Sequence, residues 1–453
     1  MMKKAWLQRL TAVALGVMLL LAPMSVRANI VTGEQYQAIH DSAQLIEETM
    51  QRIMEKYVGG DVSVEELRDA ALKGMTSILD PYSEYMTSAE YASFFNGLSA
   101  SAKAIGVIMG AAENEPYIRV VRVLDNSPAK EAGILPGDLL ITANGVSLKN
   151  KTASDVRTAI AADTKETVTV VVRRGTKDIS FTLTPREVYV STVQTASLKD
   201  LGVANPSPKA GYLQITTVGD NCAEDFAKEL AAFKKAGVKR LLLDLRGNSG
   251  GYLDDAIAIC RLLVPAGPII YTYDADNGMV EIASTLAKCP FDKIVVLTNS
   301  GTASAAEVIA SALQDSKAGV VVGSLTYGKG VIQSLYPYRS GGGLKITVQE
   351  YFRRSKAKLD GIGITPDVDV QFADYVFEES SIQPAEREAH QKNLKVVLSM
   401  LGFADAKAFQ ISRDLGSSGV VDGYTANALN RAIDAYYAAH DVVLTEGYKT
   451  LMK

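Results

Sequence analysis

Asn299-Ser300-Gly301-Thr302-Ala303-Ser304-Ala305-Ala306-Glu307 and, after an apolar run, Thr326-Tyr327-Gly328-Lys329-Gly330-Val331-Ile332-Gln333 decide how this chain is read. The first stretch follows the β-like run Ile294-Val295-Val296-Leu297-Thr298 and leads into Val308, Ile309, Ala312 and Leu313 at helical spacing. That pattern predicts a strand, a tight turn and a helix beginning near Ser304. A helix start offers unpaired N–H groups and the positive end of a dipole, which suits a site where an oxyanion forms. Gly301, Ala303, Ala305 and Ala306 strip bulk from around the hydroxyl, as approach by a substrate backbone requires. The same residues, Ser304-Ala-Ala-Glu307, also spell an S-x-x-E capping box, in which the hydroxyl would only satisfy a helix N–H. Both readings stand on these residues alone.

A serine nucleophile needs a base, and the three histidines, His40, His390 and His440, are all far from Ser304 in sequence. Lysine is the remaining candidate. It can act as a base only when neutral, so its pKa must fall by several units from about 10.4. Gly328 and Gly330 allow a bend that tucks Lys329 inward, and Gln333 can hold an amine without a charge that would keep it protonated. Positions four apart on a straight strand are roughly 13 Å apart, so a Lys329–Gln333 contact requires the glycines to bend the chain. The run Gly323 to Lys329 imitates G-x-x-x-x-G-K, but Gly330 stands where a P-loop needs Ser or Thr, and a strand pattern follows where a helix would start. Nucleotide binding is set aside.

With Lys329 placed 25 residues after Ser304 and Gln333 four beyond it, the two runs resemble the carboxyl-terminal processing (tail-specific) proteases. The resemblance implies a Ser–Lys dyad assisted by a glutamine, mapped onto Ser304, Lys329 and Gln333. It also implies an α/β, crotonase-like protease core with an inserted PDZ β-domain and helical N- and C-terminal regions. Neither a metal nor an organic cofactor is implied. One departure is Ala306, where many members of the family carry a second serine.

At the N-terminus, Lys3, Lys4 and Arg9 precede an apolar run from Leu10 to about Val26, and Val26-Arg27-Ala28 has small residues where a signal peptidase would cut. Residues 1–28 read as a secretory signal, which would anchor the protein in the membrane if left uncleaved. The expected location is the periplasm or extracytoplasmic envelope. Losing this segment takes the basic residues from 47 to 43 against 51 acidic ones, a formal charge of −8. Such a balance excludes a nucleic-acid footprint. Three cysteines are an odd number and too few for a disulfide framework. Residues 34–98 read as helical, with Ile39, Ala43, Ile46, Met50 and Ile53 at helical spacing.

Between 99 and 187, Pro136-Gly137-Asp138 and Asn144-Gly145 mark turns between apolar strands, and their order resembles a PDZ domain. A helix is expected over Thr152–Ala162, with strands over Thr167–Arg173 and Ile179–Leu183. The resemblance implies a peptide that adds as a strand to the sheet edge. Its carboxylate would meet the loop Ala104-Ile105-Gly106-Val107, with Val156 and Ile160 on the facing helix. Substrates with apolar C-terminal ends follow from that mapping.

Residues 188–375 alternate strand and helix patterns, which implies an α/β core. Asn221 and Glu224 are expected to open one helix, which Gly237 stops. Asp244-Leu-Arg-Gly-Asn-Ser-Gly-Gly251 resembles the family's oxyanion segment. This pairs the N–H of Gly250 with that of Ala305, Gly251 being the alternative, while Asp244 and Arg246 are expected to hold one another and the loop. The tail, 376–453, carries helical spacing at Leu394, Val397, Leu398 and Leu401 and faintly resembles a peptidoglycan-binding module; a packing or homodimer-forming appendage is the alternative. The functional expectation is a secreted serine endopeptidase. Its rivals are a non-catalytic PDZ scaffold and a peptidoglycan-associated binding protein of the envelope.

Overall fold

In a computed structural model that describes residues 31–110, 116–161, 166–370 and 372–453, the strand Arg240–Asp244 shows how the main sheet is made. Successive side chains of a strand leave opposite faces, so Leu241 and Leu243 enter one apolar cluster and Leu242 another. The six strands run in the order Val193–Ala196, Ala210–Ile215, Arg240–Asp244, Lys293–Thr298, Gly319–Gly323 and Val368–Asp369. The first pair is antiparallel and the others are parallel. Parallel neighbours need long crossovers, and the helices Cys222–Lys235, Leu253–Leu263 and Ala305–Asp315 lie in them. These helices bring Phe226, Ile259 and Ile309 into the cluster that holds Leu241, Leu243 and Val296.

The other face is closed from far along the chain. Val443, Leu444 and Leu451 of the helix Val442–Met452 pack with Leu242, Val295, Leu297 and Val322. The sequence boundary at 376 put this helix in a separate tail, whereas it belongs to the core of the sheet. Between them, helices Arg387–Met400, Ala406–Ser412 and Gly423–Ala439 surround a small core of their own at Val397, Phe409 and Leu429. One cap also differs from expectation. Asn221 stands at φ 58° with no cap hydrogen bond from its side chain, and Asp255 Oδ1 accepts the Ala223 N–H at 2.9 Å instead.

Residues 107–183 form a second, antiparallel sheet in the order Val107–Gly110, Arg119–Val123, Leu139–Ala143, Val168–Arg174 and Lys177–Leu183. The hairpin turn falls on Asn144 and Gly145, at φ 49° and 79°. Both signs are those of the tight turn whose twist matches paired strands. Thr152 and Asp155 cap the helix Ala153–Ala161. Asp138, almost wholly buried, accepts two hydrogen bonds from the Arg174 guanidinium at 2.8 and 2.7 Å.

By compactness the chain divides into two units. One comprises the described part of Met1–Ser88 with Tyr273–Val280 and Gln333–Gln349; the other is Ala89–Thr272, Glu281–Ile332 and Glu350–Lys453. In the first, the helices Gly33–Lys56 and Val64–Thr76 open with capping boxes at Thr32/Gln35 and Ser63/Glu66. Glu84–Met86 pairs antiparallel with the start of Gly343–Arg353, after a turn in which Gly341 and Gly342 take φ of 90° and 72°. The signal segment expected at 1–28 lies outside the described residues. Among those described, no helix is long and apolar enough to cross a membrane.

Candidate active site

Ser304 lies in the second unit, in the turn between the strand Lys293–Thr298 and the helix Ala305–Asp315. Its backbone has φ 55° and ψ −122°, a region glycine favours, where a serine costs of order 1–3 kcal/mol. An ordinary N-cap is extended, so Ser304 is not merely one. The carboxylate half of the capping box is formed, from the Ser304 N–H to Glu307 Oε2 at 2.8 Å. A strained strand-to-helix turn of this kind lifts a nucleophile clear of its own backbone.

Glu307 does more than cap. Fully buried, it accepts the Thr326 hydroxyl at 2.5 Å and the Gly328 N–H at 2.7 Å on Oε1, and the Lys329 N–H at 2.8 Å on Oε2. Because Oε2 also accepts the Ser304 N–H, the backbones of Ser304 and Lys329 meet on one oxygen atom. Burial pushes the Glu307 carboxyl above its ordinary range, and these hydrogen bonds pull the other way. Every neighbour is a donor, so the ionised form is the one the site fits; Thr326 Oγ1 itself accepts the Ile364 N–H at 2.7 Å, which leaves its proton for Glu307. A second bridge is Tyr351, buried, whose hydroxyl donates to the carbonyls of Lys329 and Ser304. The sequence carried no signal for Tyr351.

The glycines beside Lys329 are dictated by a neighbouring segment. A Cβ on Gly328 would fall 2.7 Å from the Gly363 nitrogen, and one on Gly330 would fall 2.4 Å from the Asp360 nitrogen. Gly328 also bends the chain, at φ 86°. Lys329 is half-buried. Gln333 belongs to the other unit, where its amide donates to Thr347 Oγ1 at 3.3 Å.

The loop 245–251 is stitched to the serine turn. Asn299 Oδ1 accepts the N–H groups of Gly247 and Gly301 at 2.9 and 3.0 Å, Thr302 Oγ1 donates to the Leu245 carbonyl at 2.8 Å, and the Ala303 N–H donates to the Asn248 carbonyl at 2.9 Å. Asp244 and Arg246 hold one another as expected, with Nη2 to Oδ2 at 2.6 Å. Gly250 abuts Ser304, since a Cβ there would lie 2.8 Å from Ser304 Cβ and 3.0 Å from the Ala305 nitrogen. Its N–H, which the sequence assigned to the oxyanion, donates instead to Asn248 Oδ1 at 2.9 Å. The reason is local: an Asn side chain readily closes such a turn on the N–H two residues ahead. Gly250→Ala is expected to lower kcat by about 10²-fold, the scale for misplacing reacting groups by 1 Å. Steady-state kinetics with KM unchanged would check it.

Of the five residues expected to bind a peptide, Ile105 and Val156 lie in the core of the antiparallel domain at 2% and 0% exposure. Their side chains pack in that core. Val107 and Ile160 are half-buried at its margin, and Val107–Gly110 is the end strand of its sheet. Gly106 is required because a Cβ would sit 2.1 Å from Ser127 Cβ. The carbonyls of Ile105 and Gly106 accept the N–H groups of Ala129 and Leu124.

A sequence model of peptidase family S41 matches residues 209–370, and one of the PDZ domain matches 119–174. Carboxy-terminal processing protease CtpB of Bacillus subtilis (strain 168) is 30% identical over 413 residues, covering 86% of this chain and 84% of that protein. Carboxy-terminal processing protease CtpA of the same organism is 29% identical over 410 residues, 86% of each. Among solved structures, a photosystem II D1 C-terminal processing protease aligns at TM-score 0.40 and 26% identity, over 73% of this chain and 87% of that one.

Proposed function

The chain belongs to peptidase family S41 and to its carboxy-terminal processing proteases, which are serine-type peptidases, and from that premise we propose that Ser304 and Lys329 form its catalytic dyad. Ser304 Oγ attacks the scissile carbonyl while neutral Lys329 takes the proton, then returns it to the leaving amine. The observation that carries this reading is the single Glu307 oxygen shared by the Ser304 and Lys329 N–H groups. The Ala305 N–H, at the helix start, is one oxyanion donor. The second is Gly251 while the turn at Asn248 stands, and Gly250 once it opens. Gln333 would orient Lys329 by exchanging its bond to Thr347 for one to the amine.

The substrate is a protein with an apolar C-terminal end. It would add as a strand beside Val107–Gly110, with Val107 and Ile160 flanking its last side chain. With the carbonyls of Ile105 and Gly106 already occupied, the N–H groups of that loop are what it offers a terminal carboxylate. We place the enzyme outside the cytoplasm on the strength of the leader-like residues 1–28.

A fluorophosphonate probe tests the dyad directly. Peptide mapping is expected to find the adduct on Ser304, with labelling lost in Lys329→Ala and falling as the pH is lowered. An adduct on any other serine, or labelling of Lys329→Ala at the wild-type rate, would refute the assignment.

A further inference from the structure

Arg246 sits between two carboxylates, Asp244 two residues before it and Asp441 195 residues after it. Asp244, wholly buried at the end of its own strand, takes Nε and Nη2, and is held in turn by the Tyr212 hydroxyl at 2.8 Å. Asp441 takes Nη1 on Oδ1 at 2.7 Å and Nη2 on Oδ2 at 2.8 Å, the two-pronged geometry in which a guanidinium fixes direction as well as charge. Asp244 alone already gives Arg246 its counter-charge. What Asp441 adds is a second anchor, and it is a rigid one. Its Oδ1 accepts the Leu444 N–H at 2.9 Å as the cap of Val442–Met452, the helix packed on the sheet's second face.

The residues that follow Arg246 are those that touch the serine turn. Gly247 binds Asn299, the Asn248 carbonyl binds Ala303, and Gly250 lies against Ser304. A loop with so many glycines has little stiffness of its own. Its path is set at one end by the guanidinium.

We infer that Asp441 is a positioning residue for catalysis, holding Arg246 so that the 247–251 loop presents its N–H groups beside Ser304. This deepens the dyad reading and rests on it. The helix Val442–Met452 thereby serves the reaction from the face of the sheet that carries none of the reacting groups.

The test compares Asp441→Asn, Asp441→Glu and Asp422→Asn in the full chain, on an unfolded protein with an apolar tail. Asparagine caps helices as well as aspartate does, so Asp441→Asn removes the charge pairing and keeps the cap. Its kcat is expected to fall about tenfold, with KM held within about twofold, the pattern of an interaction lost in the transition state alone. Asp441→Glu should recover much of the rate. Asp422→Asn, the same change at the cap of Gly423–Ala439, should leave it unaltered. Hydrogen exchange reads the positioning without turnover: amides of 247–251 should exchange faster in Asp441→Asn while those of Lys293–Thr298 do not. Wild-type kcat and exchange in Asp441→Asn would overturn the inference, as would failure of the Asp441 variants to fold, or an equal loss in Asp422→Asn. A wild-type chain that neither cleaves nor labels would sink the dyad reading instead, and the exchange experiment would still decide this one.

Discussion

Ser304→Ala and Lys329→Ala are each expected to remove cleavage almost entirely, and the double variant to be no worse than either. Nucleophile and base act as a unit, so the losses do not add; in a serine hydrolase a single such deletion costs roughly 10⁶-fold in kcat. What survives should be the weak catalysis of oxyanion donors and binding alone. Folding should be untouched, because Ser304 and Lys329 join the Glu307 carboxylate through their backbone N–H groups. The check is single-turnover cleavage of an unfolded, apolar-tailed protein beside a urea titration. Turnover within tenfold of wild type in either variant, at unchanged urea midpoint, would remove the dyad.

The second large effect is expected at Glu307, and there folding and catalysis should fail together. Glu307→Ala strands four donors, the Thr326 hydroxyl and the N–H groups of Ser304, Gly328 and Lys329. Each buried unsatisfied donor costs about 1–3 kcal/mol, so the sum approaches the whole stability of a typical domain, about 5–15 kcal/mol. Glu307→Gln should be milder, because one oxygen survives while the new amide faces two donors. A loss of about 2 kcal/mol is expected there, with kcat down about 10²-fold from misplacement of the serine and lysine segments. Urea titration and steady-state kinetics on the same preparation check both. A Glu307→Gln enzyme of wild-type kcat would mean that the shared oxygen does not set the dyad.

Residues whose job is local were legible in the sequence. The serine turn, the Asn144-Gly145 hairpin and the stop at Gly237 are each enforced within a few positions, so their spacing shows them. Glu307 read only as a cap because three of its four donors come from 326–329, on the far side of a helix and a strand. Tyr351 and Asp441 were invisible for the same reason: their partners lie on remote elements, and a tyrosine in a strand or an aspartate before a helix is commonplace. Ile105 and Val156 show a different limit, since their side chains lie in the domain core. Alternation and helical spacing say that a side chain faces inward, and cannot distinguish a core from the groove beside it. The helix Val442–Met452 looked like part of a tail because nothing in its own residues names the strands it covers.

That helix also sets an order of events during synthesis. The ribosome releases the serine turn, then the lysine bend, then a whole helical module, before the segment that seals the sheet beneath them exists. Until then Leu242, Val295, Leu297 and Val322 lack the cover of Val443, Leu444 and Leu451. A chain cut short before that segment would hold both turns over a sheet not yet sealed on its second face.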